Sequence, residues 1–131
     1  MARMLVLSLF AVVTSSPDTA YALGRECEGP KEGSTLQESC FLQSQSKELD
    51  DQLNSTYKKL LIQWKAEDFK VERNGLVASQ RAWLAYRDKT CAFEQFASGG
   101  ILSISAMRCA TRLTGERVIY LNEFLSQIAG G

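Results

Sequence analysis

The sequence predicts an all-α protein: a small antiparallel bundle of three to four helices carrying two disulfides. Three observations lead there. Apolar residues recur at three- and four-residue steps over long tracts, the mark of helices with one buried face. No tract of any length alternates apolar and polar residues as a strand does; residues 101–104 are the sole short candidate. Four cysteines and no histidine occur in the chain, a pattern suited to disulfides in an exported domain of limited core.

The first 22 residues read as a secretory signal peptide. Arg3 supplies a positive start, residues 4–13 are apolar apart from Ser8, and Ala20-Tyr21-Ala22 is an A-x-A cleavage site. The apolar run is too short to span a bilayer, which takes about 20 residues. A buried N-terminal helix is the competing reading. The mature domain is then residues 23–131, one domain by length, with no stable membrane insertion after cleavage. No cysteine follows the cleavage site directly, so a lipid anchor is not expected.

Residues 23–33 mix glycine, proline and charges and form a loop. Ser34 or Thr35 can cap a helix, with Gln37 or Glu38 as the capping-box partner. That helix passes Cys40 and Leu42. Nothing forces a break before the next one, since neither glycine nor proline lies between Ser34 and Asn74. In the next tract Leu49, Leu53, Tyr57, Leu60, Leu61 and Trp64 make one apolar face, with Lys47, Asp50, Asp51, Lys58 and Lys59 largely opposite. Asn74-Gly75 is a possible break. A further helix runs from about Leu76 to Phe96 and stops at Ser98-Gly99-Gly100. The last spans about Ser105 to Ile128, with Cys109, Leu113, Tyr120, Phe124 and Ile128 facing inward. Short loops predict that sequential helices are antiparallel neighbours.

The cysteine pairing follows from this layout. Cys91 and Cys109 flank the glycine turn, where an antiparallel hairpin brings them face to face, leaving Cys27 to pair with Cys40. Zinc is the competing reading, but no C-x-x-C spacing exists and no histidine is available.

Charge narrows the function. Fifteen basic and fifteen acidic residues balance, which argues against nucleic acid as a partner, since phosphate neutralisation calls for a basic surface. There is no glycine-rich phosphate loop and no calcium-loop pattern, so neither cofactor nor metal is expected. Without histidine or a free cysteine, triad chemistry lacks its usual base. Glu94 and Glu116 could form a carboxylate pair, but their spacing resembles that of ordinary helix acids. No catalytic residue is assigned, and an enzyme is not expected.

The tract 79–91 holds the most specific pattern. At 100° per residue, Leu76, Trp83, Leu84, Thr90 and Cys91 share one side, with Gln80, Arg87 and Glu94 in the middle of it. A buried guanidinium must be paired. Glu116 is the first-choice partner of Arg87, ahead of Glu94, Asp50 and Asp51. Gln80, Arg87, Glu94 and Glu116 thus read as a buried polar network fixing helix register, or alternatively as a partly open binding groove. Trp83 and Arg87, four apart, can stack as a cation–π pair. Arg81, Asp88 and Lys89 point elsewhere, to solvent.

These residues resemble a family. Leu53-Asn54-x-x-Tyr57-x-x-Leu60, Gln80-Arg81-x-Trp83-x-x-Tyr86-Arg87-Asp88-x-x-Cys91, Gly99-Gly100, Cys109 and Thr114-x-x-Arg117-x-x-x-Leu121 look like the signature of the LprI-type lysozyme-inhibitor family of bacterial exported proteins. The likeness covers about residues 27–125. It implies a small helical domain, periplasmic or secreted, whose partner is a lysozyme-type muramidase, a glycoside hydrolase. Arg81 and Lys89 are then the exposed basic side chains to reach that enzyme's catalytic carboxylates, while Arg87 belongs to the scaffold. A periplasmic interaction module without inhibitory activity is the alternative.

Overall fold

The computed structural model describes residues 33–99 and 104–130. The expected signal peptide, the start of the mature chain and Cys27 lie outside these residues. Three helices make up nearly all of the described chain: α1 (Thr35–Gln63), α2 (Lys70–Ala97) and α3 (Ile104–Ala129), with a 3-10 turn (Glu67–Phe69) before α2. No strand occurs among the described residues. None of the helices is long and apolar enough to cross a membrane.

α1 begins as its sequence suggests. Ser34 is extended, and its Oγ accepts from the Gln37 N–H at 3.2 Å. The Gln37 side chain in turn accepts from the Gly33 N–H at 2.7 Å, so one orphan donor of the helix start is satisfied and the residue before the cap is tied to the first turn. The helix then runs 29 residues without interruption, merging the two helices that the sequence left open.

Where α1 stops is a correction. Asn74-Gly75 is no break; both residues lie inside α2. The chain turns at Trp64 instead, with neither glycine nor proline to mark it. Tertiary contacts make this turn. The Trp64 ring packs edge-on against Phe124, with centroids 5.7 Å apart. Arg73 Nη1 donates to the carbonyls of Trp64 (3.3 Å) and Lys65 (3.0 Å). Those are carbonyls that the end of α1 cannot bond within itself. At the other end of α2, Gly99 takes φ +93°, the left-handed conformation expected of it.

The order of contacts gives the helix directions. Glu38 pairs with Arg108, and Thr56 Oγ1 donates to Asn122 at 2.9 Å. Between these pairs, Leu49 methyls lie 3.8 and 3.9 Å from the place a side chain on Gly115 would occupy. Both numbers rise together, so α1 and α3 run parallel. Across α2 and α3 they run oppositely: Gln80 meets Arg117, Arg87 meets Thr114 and Cys91 meets Cys109. The expected antiparallel run of sequential helices therefore holds for α2 and α3, and α1 and α3, which are not sequential, run parallel. α3 packs against both other helices, while α1 and α2 approach each other only sparsely. Leu49 seats beside Gly115 on α3 at ordinary contact distance, while α2 turns Gln80 and Arg87 toward the interior.

The core follows from this. Leu53, Leu60, Leu76, Val118 and Leu121 are buried together, with Leu49, Tyr57, Leu61, Trp64, Trp83 and Phe124 packed around them. The periodic face predicted for residues 49–64 is thus inward. Two residues expected inside are out: Leu84 and Tyr120 are exposed, Tyr120 by 54%. A second cluster of Cys91, Cys109 and Leu113 closes the other end. The Cys91–Cys109 disulfide forms there, with Cα atoms 5.4 Å apart. One bridge is seen among the described residues where two were expected. The Cys27–Cys40 pairing involves Cys27, outside those residues, and no described cysteine is free.

Candidate functional site

Because α1 and α2 stay apart, a groove of about 390 Å³ opens between them. Leu53, Asn54 and Tyr57 enter it from α1, and Gln80, Arg81 and Arg87 from α2. The helical period brings this about. Residues three, four and seven apart share a face, so Asn54 and Tyr57 line one wall while Gln80, Leu84 and Arg87 line the other. Two sequence motifs on separate helices therefore meet in one groove.

The polar side chains within it form separate contacts and not the single network expected. Gln80 is buried, and its Oε1 accepts from Arg117 Nε at 3.1 Å. Arg87 stacks on Trp83 at 5.2 Å, as the four-residue spacing predicts. Its Nη1 donates to Thr114 Oγ1 at 3.3 Å and lies 3.7 Å from Asp50. Its Nε donates to Asp88 at 3.2 Å. Glu116 is not its partner. Thr114, 2% exposed, holds the position on α3 that meets Arg87, and Glu116 lies two residues on, well around the helix. Glu116 sits instead 3.5 Å from Arg112, which also holds Glu94 at 3.0 Å. The two acids considered as a catalytic pair thus share one exposed guanidinium. Asp88, expected to point to solvent alone, helps neutralise Arg87.

Arg117 was not singled out from the sequence, although it stands in the Thr114-x-x-Arg117 motif. Its guanidinium lies between Trp83 (5.7 Å) and Tyr120 (5.2 Å) and donates through Nη2 to Ser79 Oγ at 3.0 Å. Burial pushes its pKa down, since desolvation disfavours the charged form; Tyr120 acts weakly the other way.

Arg81, at the rim of the groove between α1 and α2, and Lys89, on the outer side of α2, are the remaining candidates. Arg81 and Lys89 are exposed and, among the described residues, make no ion pair. They stand eight residues apart, about 12 Å along the helix. Around them the surface is unusually apolar. Ala78, Ala82 and Ala85 are exposed, as are Tyr86, Phe93 (69%) and Phe96 (80%). Helical phase places Tyr86, Lys89 and Phe93 on one stripe. That stripe could have been found on the same helical projection, but attention to the polar face hid it. No group of acids and cysteines among the described residues is placed to hold a metal ion.

The family model described as Lysozyme inhibitor LprI matches residues 27–121 of this chain. No curated protein and no solved structure matches it.

Proposed function

The chain belongs to the LprI lysozyme-inhibitor family, and from that premise we propose that it is an exported, non-enzymatic inhibitor that binds a lysozyme-type muramidase and occludes its substrate cleft. The observation that carries the proposal is the exposed face of α2, where two cations without acidic partners among the described residues stand in an apolar, aromatic surface. Glycosidases of this type hold two carboxylates across the scissile bond. Lys89 or Arg81 would meet one of them in a charge-assisted hydrogen bond, while Tyr86 and Phe93 displace water around it. Contiguous apolar surface of this kind marks docking sites. Opposite charge also speeds encounter. α2 is tied to α3 by the Cys91–Cys109 bridge, so the backbone of this face is fixed before binding, which lowers the ordering cost. The expected setting is the periplasm or the medium.

The test is lysis of peptidoglycan by chicken-type, goose-type and invertebrate-type lysozymes, with and without the oxidised chain, residues 23 to 131. Stoichiometric inhibition of at least one class is expected. Lys89→Glu and Arg81→Glu should each raise the half-inhibitory concentration by about tenfold or more, equivalent to about 1.4 kcal/mol, with unchanged melting. Folded protein that inhibits no class would overturn the reading.

A second reading has its own observation. Gln80, Arg81 and Arg87 line a concave groove, which suits an envelope interaction module that holds a ligand or peptide there without inhibiting anything. Asn54→Trp, placed at the exposed wall of that groove, would then abolish partner capture from envelope extracts. Inhibition through the α2 face would survive the same change.

A further inference from the structure

A different cavity lies at the other end of the bundle. It opens between α2 and α3 beside the end of α1, with a volume of about 270 Å³. That is at the small end of ligand pockets, which run from about 300 Å³ upward. Leu76 and Leu121 form its floor. Trp64, Phe124 and Tyr120 form one continuous aromatic wall: Trp64 meets Phe124 edge-on, and Tyr120 stacks on Phe124 at 6.4 Å with planes 7° apart.

Two features of this cavity are unexplained by packing. The first is Gly75. Glycine inside a helix costs about 1 kcal/mol relative to alanine. Its φ is not positive, and a side chain there would meet nothing within 4 Å. Neither backbone nor neighbours call for glycine; what it does is leave the cavity open. The second is Arg117. Nε and Nη2 bond Gln80 and Ser79, and Nη1 makes no bond among the described residues. Arg73, Arg87, Arg108 and Arg112 each have a carboxylate within ion-pair distance; Arg117, partly desolvated between two aromatic rings, has none among the described residues. A desolvated charge without a counter-charge is costly.

We propose that this cavity is a binding site for an apolar monocarboxylate, its acyl or aryl body against the aromatic wall and its carboxylate on Arg117. Glu72 also lines the cavity. It precedes Ser79 by seven residues, so it stands about 10 Å away along α2. The cavity is therefore cationic at one end and acidic at the other. It accepts one negative charge and rejects a second at the far end. The site is separate from the outer face of α2 and does not depend on lysozyme binding.

Octanoate titrated into the uniformly 15N-labelled oxidised chain, residues 23 to 131, tests this. The amide of Gly75 and the indole N–H of Trp64 should shift in a saturable way. Octanol, which lacks the charge, and suberate, which has a second one, should each bind at least about tenfold more weakly, as loss of a charge-assisted contact predicts. Arg117→Gln should bring octanoate down to the level of octanol. Glu72→Gln should bring suberate up toward octanoate. Gly75→Leu, which fills open space and leaves the fold intact, should abolish all shifts. The proposal is overturned if octanol binds as well as octanoate, if the shifts map elsewhere, or if Gly75→Leu leaves them unchanged.

Discussion

Replacing Cys91 and Cys109 together by alanine should lower stability by about 3 kcal/mol. The bridge closes a loop of 18 residues. In the chain-entropy relation, such a loop restricts the unfolded chain by about 11 cal/mol/K, which is about 3 kcal/mol at room temperature. For a domain of this size each kcal/mol moves the melting midpoint by about 4–8 °C. The double variant should therefore melt about 12–24 °C below the parent when followed by circular dichroism. The structure also says where the loss falls. The bridge belongs to a small cluster with Leu113, apart from the main core around Leu60. Amides at the end of α2 and the start of α3 should lose hydrogen-exchange protection first, while those beside Leu60 keep it until global unfolding. A drop of less than about 5 °C, or protection lost evenly along the chain, would refute the view that this bridge holds the turn end of the bundle.

Three further outcomes are expected. Arg87→Ala leaves the Thr114 hydroxyl, 2% exposed, without its donor and removes the stack on Trp83; it should cost about 1–3 kcal/mol in urea unfolding, and Arg87→Lys should recover only part, since an ammonium cannot reproduce the planar fork. An unchanged midpoint would show that these contacts do not persist in solution. Gly75→Ala should stabilise the protein by about 1 kcal/mol, because a Cβ there has open space; a lower melting midpoint would place a bend at that residue. Arg73→Ala should speed exchange of the amides around residues 64–70 by releasing the Trp64 and Lys65 carbonyls, and equal exchange in both proteins would remove Arg73 as the cause of the turn.

What could be read from the sequence is what local rules govern. The Ser34 cap, the apolar face of residues 49–64, the stop at Gly99 and the Cys91–Cys109 pairing depend on spacing along one helix or across one short turn. What escaped depends on partners distant in the chain. The end of α1 is set by Phe124 and Arg73, and no residue at positions 64–66 signals a stop. The partner of Arg87 depends on which face of α3 meets α2. Glu116 lies close to the inner stripe of α3 in projection, but Thr114 is the residue that meets Arg87. That α1 packs chiefly on α3 and only sparsely on α2 likewise depends on contacts distant in the chain, such as Leu49 beside Gly115.

Arg81 and Lys89 could be named from the sequence, but the aromatic stripe around them escaped for a related reason. An amphipathic helix ordinarily turns its apolar face inward and its polar face out. α2 keeps Leu76, Trp83 and Cys91 inward but mixes both kinds of residue on each side along its central turns. Gln80 and Arg87 are inward or half-buried, and Ala82, Ala85, Tyr86 and Phe93 are outward. A projection that seeks one buried face finds the stripe of Leu76, Trp83 and Cys91 and stops there. Such an arrangement gives α2 less burial energy than its composition would allow, at roughly 25 cal/mol per Å² of apolar surface left in water. The hydrogen bonds of Gln80 and Arg87 and the bridge at Cys91 compensate from within. Surface apolar residues that contribute nothing to folding invite aggregation unless something covers them. A muramidase seated on Tyr86, Lys89 and Phe93 would bury that face and pair its charge at once. Lys89→Glu and Phe93→Ser should therefore weaken inhibition with little change in the melting midpoint. If Phe93→Ser instead destabilised the isolated protein by more than about 1 kcal/mol, the ring would belong to the fold. Phe93 would then be no part of a docking face on α2.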